Sequence, residues 1–175
     1  MPLKSKLIII KMKKLNFSCG GDIREGWDNC DWQKTNKKNI VYCNADEFPY
    51  PFKDNVYDYI LLKQCLNFYQ DPRKTLIELH RISKNNCIID IEVPYYNNKG
   101  AYTDIDSKRF FHEHSFITFI EDDCRIEKKK RFEIVYLYLE PTKAGKFIPS
   151  LLRKRLSLFI SGLIGKMYIK LRVIK

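Results

Sequence analysis

The segment Leu15-Asn16-Phe17-Ser18-Cys19-Gly20-Gly21, with Asp31 ten residues further on, decides the fold. It reads as a strand, a glycine turn and a second strand, Trp27 to Trp32, that carries a carboxylate near its tip. Glycines after a strand let the main chain approach a ligand closely, and an acidic residue at the end of the next strand can accept both hydroxyls of a ribose. The pattern outlines a nucleotide-ligand cradle. The spacing G-x-G-x-x-G is absent, which weakens a nicotinamide-dependent oxidoreductase as the reading.

Outward from this segment, apolar runs alternate with turn chemistry. Ile40 to Asn44 reads as a third strand and Tyr57 to Leu62 as a fourth. Continuous apolarity in the fourth, and in the fifth over Cys87 to Val93, predicts parallel strands with both faces covered by helices. Between them Asp71-Pro72 opens a helix with Leu76, Ile77, Leu79 and Ile82 on one side, ended by Lys84-Asn85-Asn86. Asp caps such a helix and Pro fits its first turn. Strand, helix and strand in this order form a right-handed crossover. The second and third strands are joined only by the polar loop Gln33 to Asn39, too short for an ordinary helix.

Past Pro94 a loop rich in Tyr, Asn and Gly leads to a helix from about Glu113 to Ile120, and Phe132 to Leu139 reads as a sixth strand. Residues 147–166 are expected to form a basic amphipathic helix, with Leu151, Leu152, Leu156, Phe159, Ile160, Leu163 and Ile164 apolar and Lys146, Arg153, Lys154 and Arg155 near its start. That helix suits either packing on the sheet or contact with a membrane or partner. Tyr168 to Ile174 alternates in polarity, as a last antiparallel strand would. The expected fold is α/β: a doubly wound, mostly parallel seven-stranded sheet. Residues 14–175 form one domain in this reading, and residues 1–13 a leader or edge strand.

With 175 residues the chain can bury one substantial core. Its formal charge of +11 and pI near 9.3 favour acidic partners such as nucleic acid or an anionic membrane. The lysines are nevertheless spread along the chain, so charge alone does not choose among them. Cys19, Cys30, Cys43, Cys65, Cys87 and Cys124 show neither a CxxC pair nor zinc-ligand spacing, so no metal site is expected. Reduced core cysteines and a cytoplasmic location fit this usage. The run Leu7-Ile8-Ile9-Ile10 is too short to span a membrane.

Taken in order, these motifs resemble the class I S-adenosylmethionine-dependent methyltransferases, particularly small prokaryotic-type members. Leu15 to Gly20 is similar to their LNLGCG motif and Asn29-Cys30-Asp31 to their NxD motif. Asn44-Ala45-Asp46-Glu47-Phe48-Pro49 is similar to their D-A-x-x-hydrophobic-P stretch, Tyr57 to Leu61 to their fourth strand, and Asp71-Pro72 through Lys84 to the helix before their fifth. The resemblance implies a Rossmann-like sheet and S-adenosylmethionine as cofactor. By position, Ser18, Cys19 and Gly20 would lie against its methionine part, Asp31 would bind the ribose hydroxyls, and Asn44 and Ala45 would flank the adenine. Leu62, Lys63 and Gln64 would face the cofactor.

The sequence departs from the family pattern at Asn67-Phe68, where Glu-His is common, and at Asn85-Asn86, where Gly-Gly is; closer to the cofactor, Ser18 stands where glycine is usual, Asn44 where Asp is usual, and Lys63 brings a cation towards the sulfonium. Together with the basic charge they support a second reading, a catalytically silent methyltransferase-like module that binds nucleic acid, an anionic membrane or a protein partner. For catalysis the candidates are His112, His114 and Tyr102. An imidazole titrates near neutral pH and can serve as a general base for a hydroxyl acceptor. The methyl acceptor and the oligomeric state are not encoded in any motif.

Overall fold

The computed structural model describes residues 12–33 and 39–175. Residues 1–11 of the expected leader, and residues 34–38 of the polar loop, lie outside the described residues. The strands are β1 (Lys14–Phe17), β2 (Asp28–Asp31), β3 (Ile40–Tyr42), β4 (Tyr57–Lys63), β5 (Ser83–Pro94), β6 (Phe132–Pro141) and β7 (Ile164–Val173). The helices are α1 (Pro72–Ile82), α2 (Glu113–Glu127) and α3 (Ser150–Leu156).

The strands form one sheet in the order β3-β2-β1-β4-β5-β7-β6. All pairs among β1 to β5 are parallel, and β7 runs antiparallel to both β5 and β6. This is the mostly parallel seven-stranded sheet expected from the sequence. The winding reverses between β1 and β4, so the crevice where such sheets receive ligands opens at the carboxyl ends of β1, β2 and β4.

Register fixes which side chains share a face. Leu15, Ile60, Ile89 and Leu171 lie in one cross-strand row, and Phe17, Leu62, Ile91 and Ile169 in the next. All eight are buried to within 1 % of their surface. Helix α1 covers this face with Leu76, Leu79 and Ile82, and α2 with Phe116 and Phe119; all five belong to the same core cluster. The start of α1 is set as its sequence predicts, by the Asp71 carboxylate accepting from the Lys74 N–H at 3.0 Å.

The opposite face has no such coat. Where strands under helices on both sides were expected, both long helices among the described residues pack on one side. No helix links β1 to β2: Ser18 to Trp27 run as turns. Among the described residues this face is polar: the β1–β2 connection folds over Asn16 and Asn29, and ion pairs and tyrosines carry it across β5, β7 and β6. One row reads Asn29, Asn16, Leu61, Asp90, Lys170 and Tyr136, and another Lys63, Glu92, Tyr168 and Tyr138. Lys170 pairs with Asp90 at 3.0 Å, Lys166 with Glu92 at 2.8 Å, and the Tyr59 hydroxyl donates to Asp90. The apolar continuity of β5 hid this alternation, because Asp90 and Glu92 are its only two acidic positions.

The expected helix over 147–166 is corrected to the seven residues of α3. Pro149 precedes it, and Gly162, in the left-handed conformation at φ 78°, turns the chain into β7 at Ile164. None of the residues of α3 is buried. Residues 157–163 run as turns, and the sheet takes the end of the segment from Ile164 because Ile164, Met167, Ile169 and Leu171 complete the core.

The one-sided coat makes a direct prediction for stability. Ile169→Ala should cost about 2–5 kcal/mol, as large-to-small changes in a packed core do, whereas Tyr138→Ala on the open face should cost under about 1 kcal/mol. Chemical denaturation of the two variants measures the contrast.

Candidate functional site

A cavity of about 730 Å³ opens at the winding reversal. Its walls come from four strand ends: Ser18 to Gly21 after β1, Asp31 to Gln33 at β2, Asn44 to Asp46 after β3, and Lys63 to Cys65 at the end of β4. Phe68 and Tyr69 line it next, and Asp104, Asp106 and Lys108 reach it from the segment after β5. Of the expected cofactor residues, Ser18, Cys19, Gly20, Asp31, Asn44, Ala45, Lys63 and Gln64 all line this one cavity. Leu62 does not: its side chain belongs to the helix-coated core and is fully buried.

The glycine turn and the acidic strand end hold each other. Asp31 is 5 % exposed; one of its carboxylate oxygens accepts the Gly20 N–H at 2.7 Å and the other the Gln33 N–H at 3.0 Å. Gly20 takes a left-handed φ of 51° that L side chains resist, and a Cβ placed on it or on Gly21 would meet nothing within 4 Å. Those turn positions therefore border open space.

Ser18 also adopts a left-handed φ, of 52°, where a glycine would be unstrained. The hydroxyl gives a reason for keeping it, since its Oγ accepts a hydrogen bond from the Tyr69 hydroxyl at 2.6 Å. Tyr69 is 6 % exposed, and burial pushes its hydroxyl well above the usual range, so it stays a neutral donor. The bond ties the turn after β1 to the segment after β4.

Lys63 is a cation at the cavity, and the structure pairs it. Its ammonium lies 2.9 Å from Asp22 Oδ2, and this contact, with that of Arg24, holds the Asp22 carboxyl below its ordinary range. Gln64, left-handed at φ 55°, donates its side-chain amide to Glu92 at 2.8 Å. The Asn44 amide is engaged at both ends: its oxygen accepts the Asp46 N–H at 3.1 Å and its nitrogen donates to Glu47 at 2.9 Å. Cys65 lines the cavity as a protonated thiol, pushed up to about 12 by burial.

His112, His114 and Tyr102 do not line the cavity. His112 caps α2, its Nδ1 accepting the His114 N–H at 3.1 Å while its own N–H donates to Ser115 at 3.1 Å. His114 stacks on it, and Tyr102 stacks on Phe110 with ring centroids 4.5 Å apart. The segment after β5 instead presents Asp104, Asp106 and Lys108. It is docked by the Lys108 and Arg109 N–H groups, which donate to the Asn67 carbonyl at 2.9 and 3.0 Å. Position after β5 pointed to this segment, but which of its side chains face inward depends on that docking, which no local pattern encodes. Among the described residues no group of His, Cys, Asp or Glu is arranged to hold a metal ion.

Residues 10–89 match the family model of the methyltransferase domain. No curated protein matches the sequence. The fold is similar to that of an S-adenosylmethionine-dependent methyltransferase from Mesorhizobium loti, with a TM-score of 0.62 at 10% identity over 92% of this chain and 90% of the other. One from Archaeoglobus fulgidus gives 0.61 at 15% identity, covering 92% and 86%. The YcgJ protein of Bacillus subtilis gives 0.63 at 12% identity, covering 94% and 93%. The chain thus spans most of the length of each neighbour.

Stability of the turn after β1 separates its two tasks. Ser18→Ala removes the bond to buried Tyr69 and keeps the strained Cβ, at an expected cost of about 1–2 kcal/mol. Ser18→Gly loses the same bond but relieves about 1–2 kcal/mol of left-handed strain, so it should melt close to wild type. Thermal unfolding of the pair checks the difference.

Proposed function

We propose that this methyltransferase domain is an active S-adenosylmethionine-dependent enzyme whose cofactor lies in the 730 Å³ cavity. The observation that carries the reading is the cavity's charge. In a chain of net +11, the lining holds four carboxylates (Asp31, Asp46, Asp104 and Asp106) against two ammonium groups, Lys63 and Lys108. Lys63 is moreover paired with Asp22. A locally acidic pocket within a basic protein suits a cationic sulfonium and disfavours a phosphate-rich dinucleotide.

S-adenosylmethionine, when bound, supplies an electrophilic methyl group on its sulfonium. The chain's own residues bind and orient it. Gly20 and Gly21 leave room for close approach to the main chain, Asp31 offers carboxylate oxygens to the ribose hydroxyls, and Asn44 and Ala45 border the adenine position. Trp32, 60 % exposed and next to Asp31, adds an aromatic face on the same wall. Positioning of donor and acceptor supplies much of the acceleration in such transfers. Asp104, Asp106 and Lys108 stand on the acceptor side, so the polar contacts that choose the acceptor come from the segment after β5. The side chains of His112, His114 and Tyr102 have structural partners and take no part in this reading.

Binding measurements test it through Trp32, one of two tryptophans in the chain. Titration with S-adenosylmethionine or S-adenosylhomocysteine should change its fluorescence saturably. Asp31→Ala should weaken both ligands by about tenfold to a hundredfold, the worth of hydrogen bonds to a charged group. Asp22→Asn frees the Lys63 charge and should weaken the cationic sulfonium by about threefold to tenfold more than the neutral thioether. Wild-type affinity in Asp31→Ala, with the fold intact, would refute the assignment.

A further inference from the structure

The segment between β6 and β7 exposes an unusual amount of apolar surface. Phe147 is 89 % exposed, Phe159 87 %, Leu151 80 %, Leu158 65 %, and Leu152 and Ile160 49 % each. This exposure is held in place. Gly145 is so close to Leu163 that a Cβ there would lie 1.9 Å from its carbonyl oxygen. Arg153 donates to the carbonyls of Gly145 and Ile148 at 2.7 and 2.8 Å. Lys154 reaches Glu113 on α2 at 2.6 Å, the Asn97 amide donates to the Ser157 carbonyl, and the Gly162 N–H donates to Asn97 at 2.9 Å. The backbone is pinned to the post-β5 loop and to α2 while the large apolar side chains face solvent.

Charge selects the occupant. From Thr142 to Ser161 the chain has no Asp or Glu, and Lys143, Lys146, Lys154 and Arg155 are all exposed around the apolar side chains. We propose that this segment is a peripheral docking surface for an anionic lipid bilayer. Phenylalanine and leucine side chains enter the boundary between headgroups and acyl chains, while lysine and arginine meet lipid phosphates and carboxylates. A second copy of the chain would bring the same basic rim against itself. Nucleic acid would use the cations but leave the protruding Phe and Leu side chains in water. Among the described residues no helix is long and apolar enough to cross a membrane, so the contact is a surface one. Asn97 joins the segment to the loop that leads on to Asp104, Asp106 and Lys108.

Cosedimentation of the full chain with phosphatidylcholine vesicles, with and without phosphatidylserine, tests the proposal. The chain should pellet with the anionic vesicles, and at least about tenfold more weakly with neutral ones or in high salt. The triple variant Phe147→Ser/Leu151→Ser/Phe159→Ser should lose binding at an unchanged melting temperature, because all three side chains are exposed. Lys146→Glu/Arg155→Glu should lose it too while leaving the apolar side chains in place. Failure of wild type to pellet with anionic vesicles would overturn the proposal. So would full binding by the triple variant, the mark of a purely electrostatic surface, or a dimer that the triple variant abolishes. Cofactor binding reads out the cavity separately, so either assignment can fail without the other.

Discussion

A seven-stranded sheet coated by helices on one face has to make its other face compatible with water, and much of the structure follows from that constraint. The coated side concentrates the apolar rows of β1, β4, β5 and β7 under α1 and α2. The other side replaces a helix layer by ion pairs and tyrosines that run across strands, Asp90 with Lys170 and Tyr59, Glu92 with Lys166 and Gln64. Near β1 and β2 the short turn-rich connection folds back instead. The Asn16 and Asn29 amides satisfy the carbonyls of Asp22 and Arg24, so these buried polar groups are paired. Trp27 then packs edge-on against Tyr59. Omitting the helix between β1 and β2 also leaves the glycine turn without the helix N-terminus that usually receives anionic groups, which agrees with a cavity whose charged lining is mainly acidic.

The departures from the family pattern acquire reasons in three dimensions. Ser18 accepts backbone strain, and its hydroxyl fixes Tyr69 against the turn. Lys63 is neutralised locally by Asp22, so a cation beside the cavity does not oppose a cationic ligand with its full charge. Asn44 shapes its own turn through Asp46 and Glu47. Each of the three thus has a structural partner as well as a place at the cavity.

Much of this fold was legible from residue order. The strands, the Asp71-Pro72 helix start and the cradle of Ser18 to Gly20 with Asp31 were all marked by local chemistry, where a cap, a turn or a strand end needs a particular residue. What was hidden depends on distant partners. The 147–166 stretch carries helical apolar spacing, but Pro149 and Gly162 bound it and the core takes its end as β7. His112 and His114 could be placed by sequence either as general bases or at a helix cap, and the pairing of the His112 ring with the His114 N–H depends on where α2 begins. Tyr69, Cys65, Asp106 and Lys108 reach the cavity through the docking of loops far apart in sequence.

The central claim is that the cavity at the β1–β4 reversal holds S-adenosylmethionine. A crystal structure of the chain soaked with S-adenosylhomocysteine at millimolar concentration tests it most directly. The account predicts ligand density beside Gly20 with the ribose hydroxyls on Asp31. An empty cavity, or ligand bound elsewhere on the molecule, would contradict it.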